Sequence, residues 1–130
     1  MRYLLMVYNE EREFNNLSES QVQPVMAEYM KLIEQLKAKG QYVSGGRLQP
    51  VTSATSVRVR DGKRLVTDGP FAETREQLGG YILVEAKDLD EAIEIASRVP
   101  GARFGTVEVR PQMEAPTGAG APAAAASASR

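Results

Sequence analysis

The chain has 130 residues, with 16 Lys+Arg against 17 Asp+Glu and a formal net charge of −1. It contains no histidine, cysteine or tryptophan, so it can form no disulfide and no thiolate or imidazole metal, haem or iron–sulfur site, nor a Ser-His-Asp or Cys-His nucleophile of its own. Near-zero net charge also argues against direct nucleic-acid binding, which needs an excess of Lys and Arg on one face.

The N-terminus runs Arg2-Tyr3-Leu4-Leu5-Met6-Val7-Tyr8, which reads as an interior strand. It lacks a cleavage site of small residues and passes straight into Asn9-Glu10-Glu11-Arg12. It is therefore not read as a signal peptide, and the cytoplasm is the expected compartment. No stretch is long and apolar enough for a membrane span. A polar loop is expected through Asn16. Val22, Val25, Met26, Tyr29, Leu32, Ile33 and Leu36 then recur at helical spacing. Ser18 with Gln21 forms a capping box, and Gly40 is the stop. Pro24 implies either an irregular first turn or a regular helix that begins there.

Gln41 to Leu48 is a strand candidate interrupted by Gly45-Gly46, a pair that marks a bulge or a close approach. Ser56 to Arg60 and Lys63 to Thr67 flank Asp61-Gly62, a hairpin turn. The basic residues Arg58, Arg60, Lys63 and Arg64 read as a solvated edge that discourages aggregation. Asp68-Gly69-Pro70 makes a tight exit, and Phe71 is expected to plug the core. If 72–78 is a helical turn, Glu73 and Glu76 share a face. After Gly79-Gly80, Tyr81 to Ala86 reads as a strand. Asp88 caps a second helix and Glu91 completes its box. Leu89, Ala92, Ile93, Ala96 and Val99 form its apolar side, and Pro100 is its stop. Thr106 to Arg110 is the last strand. Residues 114–130, rich in Ala, Pro, Gly and Ser, are expected to be a flexible tail outside the domain at 1–113.

The order β-α-β, hairpin, β-α-β predicts an α+β, ferredoxin-like split β-α-β subunit with an inserted hairpin. Its two helices cover one face of the sheet, so a homodimer packing sheet on sheet is expected.

The stretch Asp68-Gly69-Pro70-Phe71-Ala72-Glu73-Thr74-Arg75-Glu76-Gln77-Leu78-Gly79-Gly80-Tyr81 resembles the signature of the DGPF proteins, which are grouped with the YCII-related proteins. Arg75 stands where that signature commonly has Lys. The opening strand, Arg58 to Gly62 and Gly105 to Pro111 fit as well. The resemblance implies a dimeric α+β barrel. It also implies an association with extracytoplasmic-function sigma factors, and hence a regulatory setting. The His–Asp pair suggested as catalytic in YCII-type relatives has no counterpart here.

The candidate ligand-binding residues are Tyr8, Arg47, Asp68, Glu73, Arg75 and Tyr81. Asp68 is also the candidate acid/base, a role that requires burial to raise its pKa. Turn-building is the competing role of Asp68, ion-pairing that of Glu73 and Arg75, strand packing that of the tyrosines. No cofactor is expected. Asp68, Glu73 and Glu76 offer at most a weak Mg²⁺ set. The expected function is a dimeric small-molecule-binding protein with a regulatory role. The alternatives are a small isomerase- or lyase-type enzyme and an interaction module for a sigma factor or similar regulator.

Overall fold

The computed structural model describes residues 1–114, and the expected tail lies outside them from residue 115 onward. Eleven elements follow one another: β1 (Arg2–Asn9), α1 (Glu11–Asn15), α2 (Glu19–Ala38), β2 (Tyr42–Arg47), a 3-10 turn (Val51–Ser53), β3 (Thr55–Arg60), β4 (Lys63–Asp68), β5 (Gln77–Glu85), α3 (Leu89–Ser97), α4 (Gly101–Phe104) and β6 (Thr106–Pro111). Four strands form one sheet in the order β2-β5-β1-β6, and β3 and β4 pair separately. Every pairing is antiparallel. Two split β-α-β units with this order make the ferredoxin-like α+β subunit, and the hairpin is the insertion between its halves.

Strand alternation decides what the sheet buries. Tyr3, Leu5 and Val7 of β1 and Ile82 and Val84 of β5 are buried. They join Leu32 and Leu36 of α2 and Ala92, Ile95 and Ala96 of α3 in one core with Val99. The opposite face carries Leu4, Met6, Tyr81 and Leu83, directly paired as Leu4 with Leu83 and Met6 with Tyr81. Among the described residues no helix packs on this face.

The helix starts follow their local chemistry. The Ser18 hydroxyl accepts from Gln21 N, while Ser18 N donates to Gln21 Oε1 at 2.8 Å. The helix begins regularly at Glu19 and runs through Pro24. Pro24 lies on the exposed side just past the first turn, so the missing N–H leaves a carbonyl that water can reach. At α3, Glu91 N donates to Asp88 Oδ1 at 2.9 Å, and Glu91 Oε1 accepts from Lys87 N.

Several expectations are corrected. The polar loop before Asn16 contains the short helix α1. Residues 72–76 form no helical turn, and β5 starts at Gln77 rather than Tyr81. Ile95 takes the core position expected of Ile93, which is exposed along with Leu89. The second helix ends at Ser97, before Pro100 as expected, and a further short helix, α4, follows at Gly101. Phe71 is 80% exposed and plugs nothing in the subunit. Its loop stands off the core, and the buried positions are already filled from the sheet and helices.

The paired glycines serve close approach. A Cβ on Gly45 would lie 2.9 Å from the Tyr81 carbonyl oxygen, and one on Gly80 would lie 3.0 Å from that of Gly46. β2 and β5 can therefore sit together only with glycine at these points. The register slips at Tyr42/Ser44 and again at Val7/Tyr8, where Val7 faces Gly80 but Tyr8 faces Leu78.

Candidate functional site

The slip at Gly79 sends the ends of β1 and β5 to two different environments. Tyr8 and Leu78 open onto the uncovered side, while Val7, Asn9 and Gly79 open toward the helices.

On the uncovered side lies a cleft of about 590 Å³. Tyr8, Leu78 and Val51 meet Pro70, Phe71 and Ala72, with Glu73, Thr74 and Gln77 at its polar edge. A second depression of about 490 Å³ shares Val51, Thr74 and Gln77 with it and adds Glu10, Glu11, Arg12 and Arg75. The two form one continuous groove under the 68–76 loop.

The loop is tied at both ends. Gly69, at φ +94, donates its N–H to the Ala54 carbonyl at 2.7 Å, and the Ser56 hydroxyl donates to the Gly69 carbonyl at 2.8 Å. A residue with a Cβ would be strained at that φ. At the other end, Gln77 Nε2 donates to the Thr74 carbonyl at 2.6 Å and Gln77 Oε1 accepts from Glu11 N at 3.0 Å. Glu11 in turn accepts from Val51 N at 3.1 Å. One chain of bonds thus joins the loop, α1 and the 3-10 turn around the groove.

Arg75 Nε donates to Glu10 Oε1 at 2.7 Å. That bond, with the guanidinium charge, holds the Glu10 carboxyl below its usual value of 4.5. The Arg75 side chain is 89% exposed, so the pair is exchangeable and adds little to stability. Its guanidinium can leave Glu10 for a carboxylate or phosphate brought to the groove.

The six expected site residues therefore separate. Tyr8, Glu73 and Arg75 come together around the groove. Arg47 lies on the helix side of the same strand end. Tyr81 lies on the uncovered sheet face, its ring beside Gly46. Asp68 is exposed at the base of the hairpin, paired with Thr55, and lines none of these cavities. The chain as described does not provide the burial that an acid/base role for Asp68 requires. The turn after it is held by Gly69 and Ser56 rather than by its carboxylate. Among the described residues no group of three carboxylates is placed to hold a metal ion, so Asp68, Glu73 and Glu76 do not converge.

Glu11 and Gln77, which organise the groove, were not among the expected residues. Their bonds span 40 and 66 residues, and no local pattern signals them. The only hint is that Gln77 falls inside the signature stretch.

The fold and groove define an α+β subunit of ferredoxin-like topology with a loop-bounded cleft at one end of the sheet. The chain belongs to the YCII-related domain family, whose model matches residues 1–115. An uncharacterised protein of Rhizobium meliloti (strain 1021) is 35% identical over 113 residues, covering 85% of this chain and 91% of the relative. Among solved structures, a 5-chloro-2-hydroxyhydroquinone dehydrochlorinase from Burkholderia phenoliruptrix AC1100, in complex with 2,5-dihydroxybenzoquinone, matches with a TM-score of 0.46 and 16% identity. That match covers 88% of this chain and 96% of the other. No helix among the described residues is long and apolar enough to cross a membrane.

Proposed function

We propose that this protein binds a small molecule in the groove beneath the 68–76 loop. The observation that carries this reading is the cleft of about 590 Å³ itself, within the size range of small-ligand sites. Its walls are apolar at Tyr8, Val51, Phe71 and Leu78, and its polar groups gather on one side at Glu73, Thr74 and Gln77. The complementary ligand has an apolar body and a hydrogen-bonding end, and Arg75 stands ready for an acidic group. Tyr8, Glu73 and Arg75 are the ligand-contacting residues of this reading.

The working form is a homodimer. The uncovered Leu4, Met6, Tyr81 and Leu83 favour it, as does the hairpin, whose Val57, Val59 and Val66 are all more than half exposed. A two-stranded hairpin is marginal alone in water, and a second copy offers it an apolar neighbour. A regulatory role rests on the resemblance to sigma-factor companions, and co-elution with a co-expressed sigma factor tests it.

Saturation-transfer NMR with a panel of small phenols tests the groove. Members that bind the wild type are expected to lose binding in Phe71→Ser. Phe71 is exposed, so the melting temperature is expected to stay the same. Undiminished binding in that variant would reject the groove.

A further inference from the structure

On the opposite side of the same strand end, the structure holds a separate cavity of about 180 Å³. That is room for roughly six waters or one ligand the size of benzoate. Val25 and Met26 of α2 give it an apolar wall, and Tyr29 and Arg47 also line it. Among the described residues, Arg47 makes no ion pair and no side-chain hydrogen bond, and the Tyr29 hydroxyl has no hydrogen-bond partner. An exposed guanidinium and a half-buried phenol that line one small cavity and have no protein partner form a donor set open to a ligand.

The charge state of the site fits an anion of single charge. Burial raises the Tyr29 phenol above its ordinary 10.0, with the Arg47 charge acting against it, so at neutral pH the phenol is a neutral donor. Glu11 also lines the cavity, but both its oxygens lie within 3.3 Å of Val51 N. Its charge is shared with that backbone donor, so it offsets Arg47 only in part and disfavours a dianion more than a monoanion.

We propose that this cavity binds a small monocarboxylate, Arg47 forking onto its two oxygens, Tyr29 donating its hydroxyl, and the apolar body resting on Val25 and Met26. The site lies on the other face of the sheet end from the cleft at Tyr8 and Phe71, and it shares Glu11 with the depression beside Arg75.

The test is a benzoate titration of the full chain, followed by amide chemical shifts, with inorganic phosphate as the second arm. Benzoate is expected to shift resonances around Tyr29 and Arg47. Its affinity should fall at least tenfold in Arg47→Met and several-fold in Tyr29→Phe, and stay unchanged in Phe71→Ser. Arg47 is exposed, so R47M should keep the wild-type melting temperature. Phosphate is expected to leave these resonances still. Absence of benzoate binding, benzoate affinity undiminished in R47M, or phosphate binding as tight as benzoate would each overturn the proposal.

Discussion

Gln77 and Glu11, 66 residues apart in sequence, are locked together: Gln77 Oε1 accepts the Glu11 amide N–H at 3.0 Å while its Nε2 donates to the Thr74 carbonyl at 2.6 Å. One half-buried amide thereby fixes the start of α1 and the end of the 68–76 loop. Removing it leaves the half-buried Glu11 N–H unpaired, at about 1–3 kcal/mol for a buried unsatisfied group, while the exposed Thr74 carbonyl turns to water. Gln77→Ala is expected to lower stability by roughly that amount in denaturant unfolding. In the same variant, hydrogen exchange should quicken at the amides of 70–76 and at Glu11. Protection unchanged from wild type would show that the loop is held by something else.

The Glu10–Arg75 pair makes a pH prediction with a definite sign. Glu10 has a lowered pKa in the folded chain, chiefly through its hydrogen bond from Arg75. Its contribution is present above the unfolded value, near 4.5, and is lost as the pH falls through the lower folded value. The pair is exposed, so the effect on overall stability is small. The Glu10 side-chain carbon, followed by NMR, should titrate below 4.5 in the wild type and move up toward 4.5 in Arg75→Gln. Added salt should narrow the difference.

Gly105 makes a steric prediction. A Cβ there would overlap the Tyr8 carbonyl oxygen and lie 3.0 Å from Asn9 Cα. Backbone must move to admit it, and the strand that moves is the one presenting Tyr8 to the cleft. Gly105→Ala is expected to cost at least the roughly 1–3 kcal/mol of an overpacked core. It should also weaken ligand binding in the groove. Gly62→Ala carries strain from its φ of +73 but meets no atom within 4 Å, and should leave groove binding unchanged.

The uncovered sheet face predicts the assembly. Light scattering is expected to give a mass of twice 14.2 kDa for the wild type. Tyr81→Glu, placed beside Met6 on that face, should shift the mass to a single chain while the circular dichroism spectrum is retained. A wild-type mass of one chain would remove the dimer from the account.

What the sequence disclosed follows from how far each signal reaches. The opening strand, the Asp61-Gly62 hairpin turn and both caps depend on residues within a few positions, and each forms as expected. The ferredoxin-like order was legible because the two β-α-β units repeat a strong local pattern. The site was less legible. Tyr8, Glu73 and Arg75 were named, but the Gln77–Glu11–Val51 chain that shapes the groove depends on contacts between distant segments. Phe71, large and apolar, reads from the sequence as a core residue. Only the fold shows that its loop stands clear of the filled interior. Asp68 drew attention as a carboxylate in a signature stretch, yet Gly69 and Ser56 hold its turn.

Amide chemical-shift mapping of the wild type, titrated with the phenols that bind it, tests the groove most directly. The predicted result is a set of perturbations confined to Tyr8, 71–74 and Gln77 to Leu78, abolished in Phe71→Ser. Perturbations confined to the uncovered sheet face at Leu4, Met6, Tyr81 and Leu83, with none beneath the 68–76 loop, would contradict it.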